Sequence, residues 1–167
     1  MSKILVIVNL ENDYIIGPMG FPSEKKLDEL IFSASFDYDD VVLVLERHSK
    51  DYLKSQMGEY LPTPHSIDGT EGAQIYGKIK ELKPKKVFYT ETFGSLELGE
   101  WLKENYYDEI HFSGLYSHIS VMEDAIIAKN ACPMSKVRII RDLVDTNDKG
   151  YEENAYNILR SCHVEVK

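Results

Sequence analysis

The sequence predicts an α/β protein: a doubly wound parallel sheet with helices on both faces. Two observations lead there. Six short apolar runs rich in β-branched residues recur along the chain, and longer segments of helical period separate them. That alternation calls for right-handed crossovers between parallel strands, with both faces of the sheet covered. Taken in order, the chain opens with a strand over 3–8 (KILVIV), then a helix over 23–36 and a strand over 40–46 (DVVLVLE). A helix over 71–82 leads to a strand over 86–90 (KVFYT), and a helix over 96–105 to a strand over 109–113 (EIHFS). The last units are a helix over 117–131, a strand over 136–141 (KVRIIR), a helix over 151–161 and a strand over 163–166. Such connections bring every strand's carboxyl end to one edge of the sheet, where ligands of open α/β folds collect.

Composition narrows the function. With 167 residues, 43% hydrophobic and 28% charged, the chain suffices for one globular domain over 1–167, and no repeat, low-complexity tract or linker divides it. The apolar run from Ile4 to Val8 is too short for a signal peptide or a membrane span, so a cytoplasmic location is expected. Cys132 and Cys162 form no C-x-x-C; each is expected to be a small buried hydrophobe. A net charge of −9 argues against nucleic acid or anionic membrane as partner. Lys78, Lys80, Lys83, Lys85 and Lys86 are interrupted by Glu81 and Pro84, and read as a solvated helix end and loop. Neither G-x-G-x-x-G nor a P-loop motif occurs, which excludes the common nucleotide sites.

The most informative stretch is 109–130, EIHFSGLYSHISVMEDAIIAKN, where a strand passes through a turn at Gly114 into a helix. Ser120 lies about one turn into that helix, where free backbone N–H groups and the positive dipole end favour a nucleophile. Three further strings stand in order around it: Val8-Asn9-Leu10-Glu11-Asn12-Asp13-Tyr14, Pro64-His65-Ser66-Ile67-Asp68-Gly69-Thr70-Glu71-Gly72, and Thr90-Glu91-Thr92-Phe93-Gly94-Ser95. Together with the closing Ser161-Cys162-His163-Val164-Glu165-Val166, they resemble the isochorismatase-like cysteine hydrolases, the superfamily of nicotinamidases and related amidases. The first matches that family's D-x-Q-N-D-F-like string and the second its P-H-C-x-x-G-T-x-G segment.

The resemblance implies a three-layer α/β/α fold with a six-stranded parallel sheet in the order 3-2-1-4-5-6. It sets Asn9, Thr90 and Ser120 at the positions of the family's Asp-Lys-Cys triad, with Asp13, Tyr14, Phe93, Leu115 and Tyr116 toward the substrate. It implies a cis peptide at Leu115-Tyr116 and a homo-oligomer, for which Tyr106-Tyr107 and Tyr151-Tyr156 are the candidate anchors. Glu46, His48 and His65 match the metal ligands of the family's nicotinamidases. Residues 46 and 48 share a face in extended backbone, and a carboxylate with two imidazoles suits zinc, iron or manganese. The other reading of these three is a polar loop after the strand and a turn after Pro64, with no cofactor.

Chemistry bears on the triad positions. The family reaction requires a thiolate, generated because a carboxylate takes the proton and a lysine stabilises charge. Asn9 is a poor proton acceptor, Thr90 carries no charge, and a serine hydroxyl needs a base more than a thiol does. The bland alternatives are a turn-forming Asn9, a strand residue at Thr90 and a small polar residue at Ser120. His118 could assist Ser120 only if the first helical turn is irregular, since residues two apart diverge on a helix. Two functions therefore stand: a degenerate, non-catalytic member that binds a small molecule or serves assembly, and a small-amide hydrolase using Ser120 or a metal-bound water.

Overall fold

The computed structural model describes residues 1–167, and its six strands make one all-parallel sheet in the order β3-β2-β1-β4-β5-β6. The strands are β1 (Lys3–Val8), β2 (Asp40–Glu46), β3 (Lys86–Thr90), β4 (Glu109–Gly114), β5 (Lys136–Val144) and β6 (Glu165–Val166). The helices are α1 (Asn12–Ile15), α2 (Leu27–Ser35), α3 (Gln56–Tyr60), α4 (Leu96–Glu104), α5 (Ser120–Ala131) and α6 (Lys149–Ser161). Side chains of β1 alternate between two cores, as a strand covered on both faces must. Ile4, Val6 and Val8 pack with Leu98, Val121, Ala125 and Leu159 of α4, α5 and α6; Leu5 and Ile7 pack with Leu27 and Ile31 of α2. The sheet is thus the middle of three layers.

Helix ends follow local chemistry. Ser95 Oγ accepts from the Leu98 N–H to cap α4, and Asp148 Oδ1 accepts from Tyr151 N–H to cap α6. Helix α5 ends at Ala131, with Cys132 as its cap just before Pro133, which cannot continue it.

The expected helix over 71–82 does not form; only a 3₁₀ turn, Gly77–Glu81, stands there. Its backbone is used elsewhere. The Gly72 and Gln74 carbonyls accept from the Asp13 and Asn12 N–H groups, Tyr76 N–H donates to the Leu10 carbonyl, and Glu11 and Ile75 form an antiparallel bridge. These long-range bonds outcompete the i→i−4 ladder. The helix expected over 23–36 begins only at Leu27, because Ser23 bonds Asp145 and Lys25 Nζ reaches the Arg141 and Val144 carbonyls. The helix expected over 117–131 starts at Ser120, since Ser117 N–H donates to the Asp145 carbonyl. The 163–166 strand shortens to two residues after His163, whose φ is +62°. Of the cysteines, Cys132 is buried as expected, whereas Cys162 is exposed, just past the end of α6.

Candidate functional site

The carboxyl ends of β1, β2 and β4 converge with the amino end of α5. Gly114 closes the approach: its φ is +103°, and a Cβ there would lie 2.0 Å from the Val8 carbonyl oxygen of the neighbouring strand, so glycine is required. Leu115-Tyr116 is cis, as the resemblance implies. Ser117 Oγ then donates to the buried Glu152 carboxylate of α6 at 2.7 Å, anchoring the turn that delivers Ser120.

Asn9 and Ser120, 111 residues apart in sequence, meet here. Asn9 Nδ2 donates to Ser120 Oγ at 3.2 Å, both residues being buried, while Asn9 Oδ1 has no partner. Asn9 is held at φ +49° and Ser66 at +46°, left-handed conformations that non-glycine residues seldom adopt and that gather at functional sites. Thr90 joins neither Asn9 nor Ser120 by a hydrogen bond. Its hydroxyl donates within its own turn, toward the Thr92 and Gly94 carbonyls, and accepts from the Thr92 N–H. Phe93 sits exposed in that same turn. His118 precedes α5, bonds Thr146 Oγ1 at 2.6 Å and lies between the Tyr116 and Tyr151 rings, so it does not serve Ser120.

Glu46, His48 and His65 form a buried cluster whose potential donor atoms all lie within 4.8 Å of one another. Local pairing builds it: His48 N–H donates to the Ser66 carbonyl, Asp68 N–H to the His48 carbonyl, and Asp13 Oδ2 accepts the Ser66 N–H at 2.8 Å. Asp13 in turn lies against Gly72, where a Cβ would stand 2.2 Å from its carboxylate. Asp13 thus ties the end of β1 to the His65 segment. Glu46 Oε2 faces His65 Nε2 at 2.8 Å and His48 Nε2 at 3.3 Å. Burial alone would push Glu46 up, but its bonds to His48, His65 and Tyr14 hold it at about 2. Burial lowers His65, but its bonds to Glu46 and the Thr63 carbonyl, with the charges of Glu46 and Asp13, together raise it.

The donor set fits a cation. The Thr63 carbonyl accepts from His65 Nδ1 at 2.7 Å, which leaves Nε2 as the lone-pair nitrogen of a neutral ring. A lone pair and a carboxylate in contact need a proton or a metal ion between them. One carboxylate and two imidazoles match zinc, iron or manganese.

Aromatic rings surround these groups. Tyr14 stands edge-on to Tyr116 at 5.4 Å and to His65 at 5.9 Å, and Phe21 lies 5.6 Å from Tyr116. A cavity of about 220 Å³ opens beside Tyr14 and Leu115, walled by Phe21, Leu27 and Tyr76. A second of similar volume reaches His48 beside Tyr52 and Met57. The candidate residues are therefore distributed: Tyr14 and Leu115 on one cavity, His48 on the other, Asn9 and Ser120 buried between strand and helix ends. Two carboxyls with no exposure at all escaped the sequence reading, Glu11 just past β1 and Asp124 on α5. Asp124 lies four residues after Ser120, a spacing that marks one helix face. Glu11 gives no periodic signal.

The sheet order, the turn into α5 and the Glu-His-His cluster define a three-layer α/β protein of the isochorismatase-like class. The profile of the Isochorismatase domain matches residues 3–166, and the chain belongs to that family. An isochorismatase family protein, PncA of Bacillus subtilis (strain 168), is 28% identical over 148 residues, covering 78% of this chain and 80% of that one. Among solved structures, the nicotinamidase/pyrazinamidase PncA of Bacillus subtilis superposes with a TM-score of 0.80 at 24% identity over 99% of both chains. The pyrazinamidase of Pyrococcus horikoshii in complex with zinc gives 0.79 at 18% identity, over 100% of this chain and 99% of that one. PnC1 of L. infantum in complex with nicotinate gives 0.84 at 16% identity, over 99% and 92%. At these identities the superpositions establish the fold.

Proposed function

We propose that this member of the isochorismatase family holds a small planar molecule, with a divalent cation beside it, and acts as a binding or assembly protein without the family's thiol-based hydrolysis. The observation that carries the reading is the Asn9–Ser120 pair. The amide donates to the hydroxyl oxygen, the reverse of what a general base does, and in neither orientation does an amide take up a proton near neutral pH. Thr90 spends its hydroxyl on its own turn and supplies no charge. A positioned acid/base alone is worth about 10²- to 10⁴-fold in rate, so a serine without a base or a lysine beside it has little to work with. The Tyr14, Phe21 and Tyr116 rings suit a flat ligand, the class to which the nicotinate bound to the L. infantum relative belongs. Glu46, His48 and His65 would hold the cation, which would supply Lewis-acid charge.

Purified protein given nicotinamide or pyrazinamide is expected to release ammonia no faster than a Ser120→Ala variant. Turnover that vanishes in that variant would reverse the reading and make Ser120 a nucleophile. The second reading, metal-dependent hydrolysis of a small amide, draws on the Glu46-His48-His65 cluster alone. Activity that survives Ser120→Ala but is lost on chelation and in His48→Ala would favour it.

A further inference from the structure

Glu11 is fully buried at the end of β1, and neither of its carboxyl oxygens has a partner. Ionised and alone, such a group is strongly disfavoured in its folded environment. Most of the other unpartnered buried side-chain atoms belong to residues at this end of the sheet. Asn9 Oδ1, Arg47 Nε and Ser66 Oγ all flank the same strand ends, and only Asp124 Oδ2 lies elsewhere. Register sets Val8 beside Val44, and Asn9 N–H donates to the Val44 carbonyl, so the chain leaving β1 runs alongside the end of β2 that carries Glu46. The bridge to Ile75 fixes the Glu11 backbone. Burial first, and then the charge of Glu46, push the Glu11 carboxyl well above the usual carboxylate range, against the pull of Arg47. Glu11 is not among the three residues whose donor atoms lie within 4.8 Å of one another, so it stands outside their inner ring.

We propose that Glu11 is an outer carboxylate of the Glu46-His48-His65 cation site, bonding solvent around the ion and supplying the second negative charge that, with Glu46, neutralises a divalent cation. The inference rests on the cation reading given above.

The test is metal affinity, not turnover. Full-length protein stripped with a chelator is titrated with zinc or manganese alone against a chromogenic competitor, and folding is checked by circular dichroism. Glu11→Gln, nearly isosteric, is expected to weaken binding about 10- to 100-fold, the usual effect of removing an outer partner of a ligand set. Glu11→Asp, which keeps the charge, is expected to bind more tightly than Glu11→Gln, and His48→Ala to lose the ion. Wild-type affinity in folded Glu11→Gln, with binding lost in His48→Ala, would overturn the assignment of Glu11 while sparing the cation site. Absence of binding by the wild type at micromolar metal would overturn both.

Discussion

Asp124 projects from the buried face of α5, and its Oδ1 accepts the Ser95 N–H at 2.7 Å while Oδ2 has no partner. Burial lifts its carboxyl to about 7, against the pull of that N–H, whereas in the unfolded chain it titrates near 4. A carboxyl raised on folding gives its full contribution below about pH 4 and loses it as pH climbs through about 7. Asp124→Asn keeps the acceptor for Ser95 and cannot ionise. Its stability relative to wild type is therefore expected to grow between about pH 4 and about pH 7 and then level off, by up to roughly 4 kcal/mol. Urea unfolding midpoints across that range check it, and a difference independent of pH would show that the carboxyl stays unperturbed. Residues of this kind are hard to see in a sequence. Glu11 and Asp124 are two among 28 acidic residues, and only long-range packing distinguishes them from solvated ones. Glu46, His48 and His65 were legible because the resemblance matches them to metal ligands, with the two-residue spacing of 46 and 48 setting both on one face of extended backbone. The meeting of Asn9 with Ser120 was legible through the resemblance, and no local pattern encodes it.

At the scale of elements, strands β1 and β2 were legible because each is a continuous apolar run bounded by polar residues. The segment over 71–82 was not, since its helical pattern is local while the carbonyls of Gly72 and Gln74 are bound by the end of β1, about sixty residues away. Strand order was likewise beyond periodicity and came from the resemblance. What holds the site's elements in register is the contact of Gly114 with Val8, aligned in adjacent strands. Gly114→Ala sets a methyl against the Val8 backbone and forces alanine into a left-handed φ. Overpacking and backbone strain each cost about 1 to 3 kcal/mol, so the variant is expected to lose about 3 kcal/mol or more. Equilibrium unfolding measures this directly, and a loss under 1 kcal/mol would mean that β1 and β4 part at little cost.

For the whole molecule, the edges of the sheet are poor places for self-association. β6 is two residues long and lies among the charges of Arg138, Glu165 and Lys167, and Lys86 on β3 is paired with Glu97. The α4–α5 face is different. Two shallow concavities, sharing Lys103 and Ala131, run between these helices, and Leu96, Tyr106 and Met134 on their borders are 76%, 59% and 83% exposed. Of the tyrosines expected as anchors, Tyr107 and Tyr156 are core residues, which leaves Tyr106 and Tyr151 at the surface. Tyr106 alone borders that groove, so the homo-oligomer is expected to form across α4 and α5. Light scattering at micromolar concentration is expected to give a multiple of the monomer mass, and the double variant Tyr106→Glu, Met134→Glu to return it to the monomer with its circular dichroism unchanged. The chain's net charge of −9 opposes self-association in general, so added salt should favour the oligomer by screening repulsion between copies. A single monomer mass for the wild type in both low and high salt would refute the oligomer, and an oligomer that survives the double variant would move the interface off this face.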